Sequence, residues 1–330
     1  MKTTHHPSAA VVRTLLLAVV ANWPAALLAE ADAVDAIHAH DEYVFMISFS
    51  RDGRIMATAS GDNTAIIWDA RQRKRMHVLR HDATVYTVAV SPDGKLVATA
   101  GGNGHVSLWN AQVGTKLAEA NKHADAVYCL AFSPDGHLLA SAGGSTDGGD
   151  TTCRLWRAAD LKLVDQFSGH QRQVYGLAFS PDGQTLATSS SDKSVRLWNV
   201  PTRQFRVLEG HTSDVYRCDF APDGKSLVTA SQDGTVRVWS VKTGSVMQAL
   251  DGGKKNPSYA AVFSPDGRWL VAVDDNHFCR VWQTDDWGLA SERRVSRKAL
   301  YAVAVTPDEK YIAVAGEDGK VYLIATRAFR

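Results

Sequence analysis

A chain of 330 residues accommodates either two ordinary domains or one large repetitive one. Its 45% hydrophobic and 22% charged content is that of a chain able to bury a large core, which excludes disorder. A formal net charge of +1 leaves no basic footprint of the kind nucleic-acid binding requires, and the densest basic run, Arg71-Gln-Arg-Lys-Arg75, is expected to be a solvated loop.

In chain order the first feature is residues 1–31. Lys2 and Arg13 precede the apolar run Leu15-Leu-Leu-Ala-Val-Val-Ala21, followed by Trp23-Pro24 and the small-residue pair Ala29-Glu-Ala31. This layout predicts a secretory signal peptide cleaved near Ala29 or Ala31. The apolar run is shorter than a membrane span, so an uncleaved anchor is the alternative and stable membrane insertion after cleavage is not expected. Removing 1–31 leaves 34 basic and 34 acidic side chains. The expected location is secreted or periplasmic.

From residue 32 onward the chain repeats. Tryptophans at 68, 109, 156, 198, 239 and 282 are spaced by 41, 47, 42, 41 and 43 residues, a period that marks propeller blades. Turn dipeptides provide an independent ruler: Asp52-Gly53, Asp93-Gly94, Asp135-Gly136, Asp182-Gly183, Asp223-Gly224, Asp266-Gly267 and the degenerate Asp308-Glu309. They define seven units. In the fourth, Val174 to Phe179 alternates and runs into Ser-Pro-Asp-Gly, where proline pre-sets a turn and glycine supplies a positive φ. Residues 185–189, 194–198 and 205–208 supply three further strands, and the period-two, β-branched pattern excludes helices. The last unit stops at its third strand, residues 320–325. Residues 33–38 are therefore expected to complete it, removing a free sheet edge.

These units resemble the WD-repeat (Trp-Asp repeat) family of β-propellers over residues 32–330, as a bacterial exported member. Gly169-His170 and Gly210-His211 stand where that family has Gly-His. Asp192 and Asp233 precede Trp198 and Trp239 by six residues, and the terminal Trp-Asp survives as Trp68-Asp69. The resemblance implies an all-β, seven-bladed propeller closed by an N-terminal strand, with a hydrogen-bonded set of His, Asp, Trp and a strand hydroxyl in each blade. Four units carry the His-Asp-Trp part: His40, Asp62 and Trp68; His123, Asp150 and Trp156; His170, Asp192 and Trp198; His211, Asp233 and Trp239. A His beside an Asp invites a catalytic reading, but four copies at one spacing point to structure. Unit two has Asn103 in place of the Asp; unit six has Lys254 and Asn276, and unit seven Ser296, Asp318 and Ile324. Blades six and seven are thus expected to be held more by packing than by that network and to be less rigid.

Five residues beyond each His position stand Phe45, Tyr86, Tyr128, Tyr175, Tyr216, Tyr259 and Tyr301, aromatic in every unit, including the two that lack the His. The resemblance puts this position near the mouth of the central channel, on the face that commonly receives peptides. The rings are therefore candidates for a partner-binding surface, although aromatics copied through a repeat also serve as packing. Residues 143–149, Gly-Gly-Ser-Thr-Asp-Gly-Gly, form an insertion beside the same face, in which Asp147 and Asp150 are too few for calcium. The four cysteines, Cys129, Cys153, Cys218 and Cys279, fall in strand-like runs and are expected to be small buried hydrophobes, with neither C-x-x-C nor zinc spacing. No catalytic motif, metal site or cofactor is implied. The expected function is a non-catalytic scaffold for a protein or peptide partner; small-ligand or glycan binding at the aromatic mouth is the alternative, and a propeller hydrolase a third reading.

Overall fold

The computed structural model describes residues 34–145, 149–253 and 256–329; the expected signal peptide, Asp147 and Lys254 lie outside the described residues. Twenty-eight strands pair into seven antiparallel four-stranded sheets, each a blade with its first strand innermost. Blade four shows how local the coding is. Its strands are Val174–Phe179, Thr185–Ser190, Val195–Asn199 and Phe205–Leu208, within one residue of the bounds that alternation and turn chemistry predict.

The hairpin turns share one mechanism in six blades, blade five having Ala221 in place of the hydroxyl residue. Ser180 Oγ donates to Asp182 Oδ1 at 2.5 Å, the same aspartate accepts the Gln184 amide at 3.0 Å, and Gly183 adopts φ 70°. In blade seven Glu309 holds this left-handed position at φ 57°. Closure is by the N-terminal strand: Val34–His38 pairs antiparallel with Lys320–Ala325 in the register Val34↔Ile324 to His38↔Lys320, so the last blade takes its outer strand from the start of the chain.

The core is divided among the seams. Seven apolar clusters each join two neighbouring blades, as where Val44, Met56 and Trp68 of blade one meet Ala302, Ala313 and Leu323 of blade seven. The gap between blades widens away from the axis. Alanines at 57, 98, 140, 187 and 313 fit the narrow inner part of the wedge, and Trp68, Trp156 and Trp239, all at most 1% exposed, fill the wide outer part. The four cysteines are free and buried in these layers, and burial pushes the Cys218 and Cys279 thiols up to about 12, which keeps them protonated.

Candidate functional site

The seven aromatics occupy one special backbone position. In every blade the register between first and second strands slips by one residue, between Val44 and Met46, Val85 and Thr87, Val127 and Cys129, Val174 and Gly176, Val215 and Arg217, Ser258 and Ala260, and Leu300 and Ala302. The residue skipped is the aromatic each time. A β-bulge leaves its extra residue out of the ladder and re-aims its side chain. Here it turns all seven rings toward the channel axis.

There they form a closed collar. Ring centroids of Phe45 and Tyr86 lie 5.4 Å apart, Tyr86 and Tyr128 5.0 Å, Tyr128 and Tyr175 5.3 Å, Tyr175 and Tyr216 5.6 Å, Tyr216 and Tyr259 5.2 Å, Tyr259 and Tyr301 5.0 Å, and Tyr301 and Phe45 6.0 Å. Most pairs are tilted or edge-to-face, the arrangement that ring quadrupoles favour. Sevenfold spacing of this size puts the centroids roughly 6 Å from the axis. Subtracting about 1.8 Å, half a carbon–carbon contact distance, leaves an opening at most about 8 Å wide, room for one side chain but not for a folded loop.

All seven rings are half-buried: each rests on its neighbours and keeps one part open. Burial, with Asp214 nearby, pushes the Tyr175 and Tyr216 hydroxyls up to about 12; burial with Glu317 does the same for Tyr301. Tyr128 and Tyr259 shift the same way, and Tyr259 donates to Asp275 Oδ1 at 3.2 Å. These five tyrosines therefore present neutral phenols with carboxylates close by. Tyr43, which the spacing of the repeat does not single out, packs edge-on against Phe45 and Tyr301 at 6.0 and 6.2 Å and is 44% exposed. The insertion in blade three returns beside Tyr128, where the Asp150 amide donates to Asp125 Oδ2 at 2.6 Å.

Behind the collar lie the histidine sets. In blade four His170 Nδ1 is 2.7 Å from Asp192, its Nε2 is 2.7 Å from Thr188 Oγ1, and Trp198 Nε1 donates to the same hydroxyl at 2.9 Å. Blade five repeats this with His211, Asp233, Thr229 and Trp239 at 2.8, 2.7 and 2.8 Å, and blade one with His40, Asp62, Thr58 and Trp68 at 3.0, 2.7 and 3.0 Å. The pattern assigns the Nδ1–H tautomer, with the proton chain running Trp to Thr to His to Asp. Burial works to raise the Asp192 and Asp233 carboxyls, yet the hydrogen bonds and charge of His170 and His211, together with hydrogen bonds from Ser194, Thr235 and backbone amides, outweigh it and hold both well below the usual range. Every polar atom of these sets is occupied within the blade, which leaves the imidazoles no access to a substrate.

Blade three differs. Arg154 Nη1 is 2.9 Å from His123 Nδ1 and donates to both oxygens of Asp150 at 2.9 and 2.8 Å, so an arginine stands between the His and an Asp now 3.5 Å away. Blades six and seven, which lack the histidine, add polar contacts of a different kind to their packing. In blade six the buried Arg280 donates to Asp274, to the Gly252 carbonyl at 2.7 Å and to Glu292 at 2.9 Å; in blade seven Asp318 accepts from Tyr322 at 2.5 Å and Ser296 at 3.2 Å. Among the described residues no three His, Cys, Asp or Glu converge as a metal site would need, and no helix is long and apolar enough to cross a membrane.

Seven four-stranded blades, five of them tied by a Trp–hydroxyl–His chain, make this a WD-repeat β-propeller. The chain belongs to the family described as IFT122 first beta-propeller, whose model matches residues 84–328, and the model of the WD domain, G-beta repeat, matches residues 32–69. No curated protein sequence matches the chain.

Proposed function

We propose that this protein is a non-catalytic interaction platform that receives a protein or peptide partner at the aromatic collar, by insertion of one side chain. The observation that carries the reading is the closed ring of seven half-buried aromatics, each placed by its own bulge. WD-repeat propellers generally bind proteins or peptides and are generally non-catalytic. The open ring faces and the nearby Asp214, Asp275 and Glu317 favour a cationic side chain, arginine or lysine, which gains from the ring quadrupole and from the carboxylates together.

The test is affinity capture from the producing cell's envelope extract, comparing wild type with the triple variant Tyr128→Ala, Tyr175→Ala and Tyr216→Ala. The alanine variant should lose its partners while remaining folded, and the matching Tyr→Phe triple should keep them, because the faces rather than the hydroxyls make the contact. A folded alanine variant that captures the same proteins overturns the reading. A small ligand or glycan at the same mouth is the alternative outcome, recognised when no protein is captured and the collar variants lose sugar or ligand binding.

The same reading places the domain outside the cytoplasm, supported by the charged, apolar and small-residue segments of residues 1–31. N-terminal sequencing of the protein from its native host should give a start near Ala29 or Ala31.

A further inference from the structure

In a sevenfold array the places where one copy departs from the other six carry information. The residue after the collar aromatic is Met46, Thr87, Cys129, Gly176, Ala260 or Ala302 in six blades and Arg217 in blade five. Two positions further on, six blades have Ser, Ala or Val and blade five has Asp219; at the second residue of the first hairpin turn, six have proline and blade one has Arg51. All three exceptions line a single cavity, the central channel below the collar, of about 640 Å³, whose other walls are mostly apolar side chains such as Val90, Leu130, Ala178 and Val303, with Ser48 and Ser50 among them.

Arg217 reaches from blade five across the bore to blade one, where its Nη2 donates to the Phe45 carbonyl at 3.2 Å. Phe45 is a bulge residue, so the ladder leaves that carbonyl available. Among the described residues this is the one acceptor Arg217 meets, and no carboxylate pairs with it. Asp219 turns instead into the seam with blade six and accepts the Phe263 amide at 3.0 Å. Burial depresses the basicity of Arg217. A half-buried guanidinium on the channel wall without a counter-charge is costly to keep, and its remaining N–H donors face the channel. At the opposite mouth Arg51 donates to the Pro134 carbonyl at 3.1 Å, adding a second cation on the route in.

We infer that the central channel is an anion site, which takes a carboxylate with a short apolar tail on the free edge of Arg217. A planar carboxylate matches two parallel guanidinium donors, and the Val, Leu and Ala walls suit an apolar tail. A phosphate dianion would need more donors than one arginine supplies, and Asp219 on the same channel wall opposes two negative charges more than a carboxylate's one. The carboxylate belongs either to a free small acid or to the C-terminus of a peptide threaded into the channel. The site rests on the channel alone and stands or falls separately from the collar.

The test uses the purified protein with four probes: butyrate, butyramide as its neutral counterpart, inorganic phosphate, and a short peptide ending in valine with a free or amidated C-terminus. Butyrate or the free-acid peptide should raise the melting temperature, and whichever does so identifies the source; butyramide and the amidated peptide should not. Arg217→Met should bind the acid at least about tenfold more weakly. That variant should also melt at or above the wild-type temperature, because it removes an uncompensated, partly buried charge, a result that a purely structural arginine would not give. Should Arg217→Met fail to fold, Arg217→Lys keeps the charge and loses the planar fork, and weakened binding is again expected. Equal shifts with butyrate and butyramide, undiminished binding in the arginine variants, preference for phosphate, or no response to any acid would each overturn the assignment.

Discussion

At the scale of single residues, the histidines show how one substitution changes a group's chemistry. His40 and His211 are driven toward the neutral form by burial, and Asp62 and Asp233 oppose that shift. Blade two has Asn103 instead, so His81 keeps its bond to Thr99 at 3.1 Å but meets no carboxylate at Nδ1. Burial, with Lys116 adding to it, takes His81 down to about 4. A histidine whose folded pKa lies below its unfolded value of 6.5 costs nothing at neutral pH, and stability falls as pH drops from 6.5 toward 4, where the loss levels off. A shift of that size corresponds to about 3 kcal/mol at full development. Replacing His81→Gln should flatten the dependence of unfolding free energy on pH between 6.5 and 4, measured by urea denaturation at several pH values. An unchanged slope would place the titration elsewhere.

At the scale of elements, the third strand of each blade carries a side chain two places before the Trp position: Ile66, Ser107, Arg154, Arg196, Arg237, Arg280 and Tyr322. Its role depends on what the preceding loop leaves empty. In blade five Arg237 stays at the edge, 4.0 Å from Asp233; in blade three Arg154 enters between His and Asp. In blade six, without a histidine, Arg280 is 3% exposed and pairs with a fully buried Asp274. Removing one member of such a pair strands the other, at about 3–5 kcal/mol, whereas replacing both with apolar groups is near neutral. Arg280→Met alone should therefore lower the denaturation midpoint strongly, and adding Asp274→Val should restore most of it. If the double variant is no more stable than the single, the pair is not the unit that holds blade six.

At the scale of the whole molecule, closure depends on five residues. Val34–His38 covers the edge of Lys320–Ala325, and that edge is otherwise a row of unpaired backbone groups. A chain beginning at residue 39 should melt at a lower temperature and associate as concentration rises, seen by size-exclusion chromatography at two loadings. A monomer with unchanged melting temperature would show that the strand is dispensable.

Much of this was legible in the sequence because it is encoded locally. Blade number, strand bounds, the hairpin turns, the outer strand supplied by residues near 33–38 and the His, Asp and Trp spacing all follow from period-two alternation, turn residues and a repeat of about 40 residues. The aromatic at each strand entry could be counted as well. Ring closure decided the rest, because it brings together residues separated by several repeats. The bulges that make seven separate aromatics into one collar, the reach of Arg280 to Asp274 and the Gly252 carbonyl, and the reach of Arg217 to a carbonyl 172 positions away depend on where a side chain points once neighbouring blades stand beside it. Alternation fixes which face of a strand a residue occupies; only the packed ring fixes what that face meets.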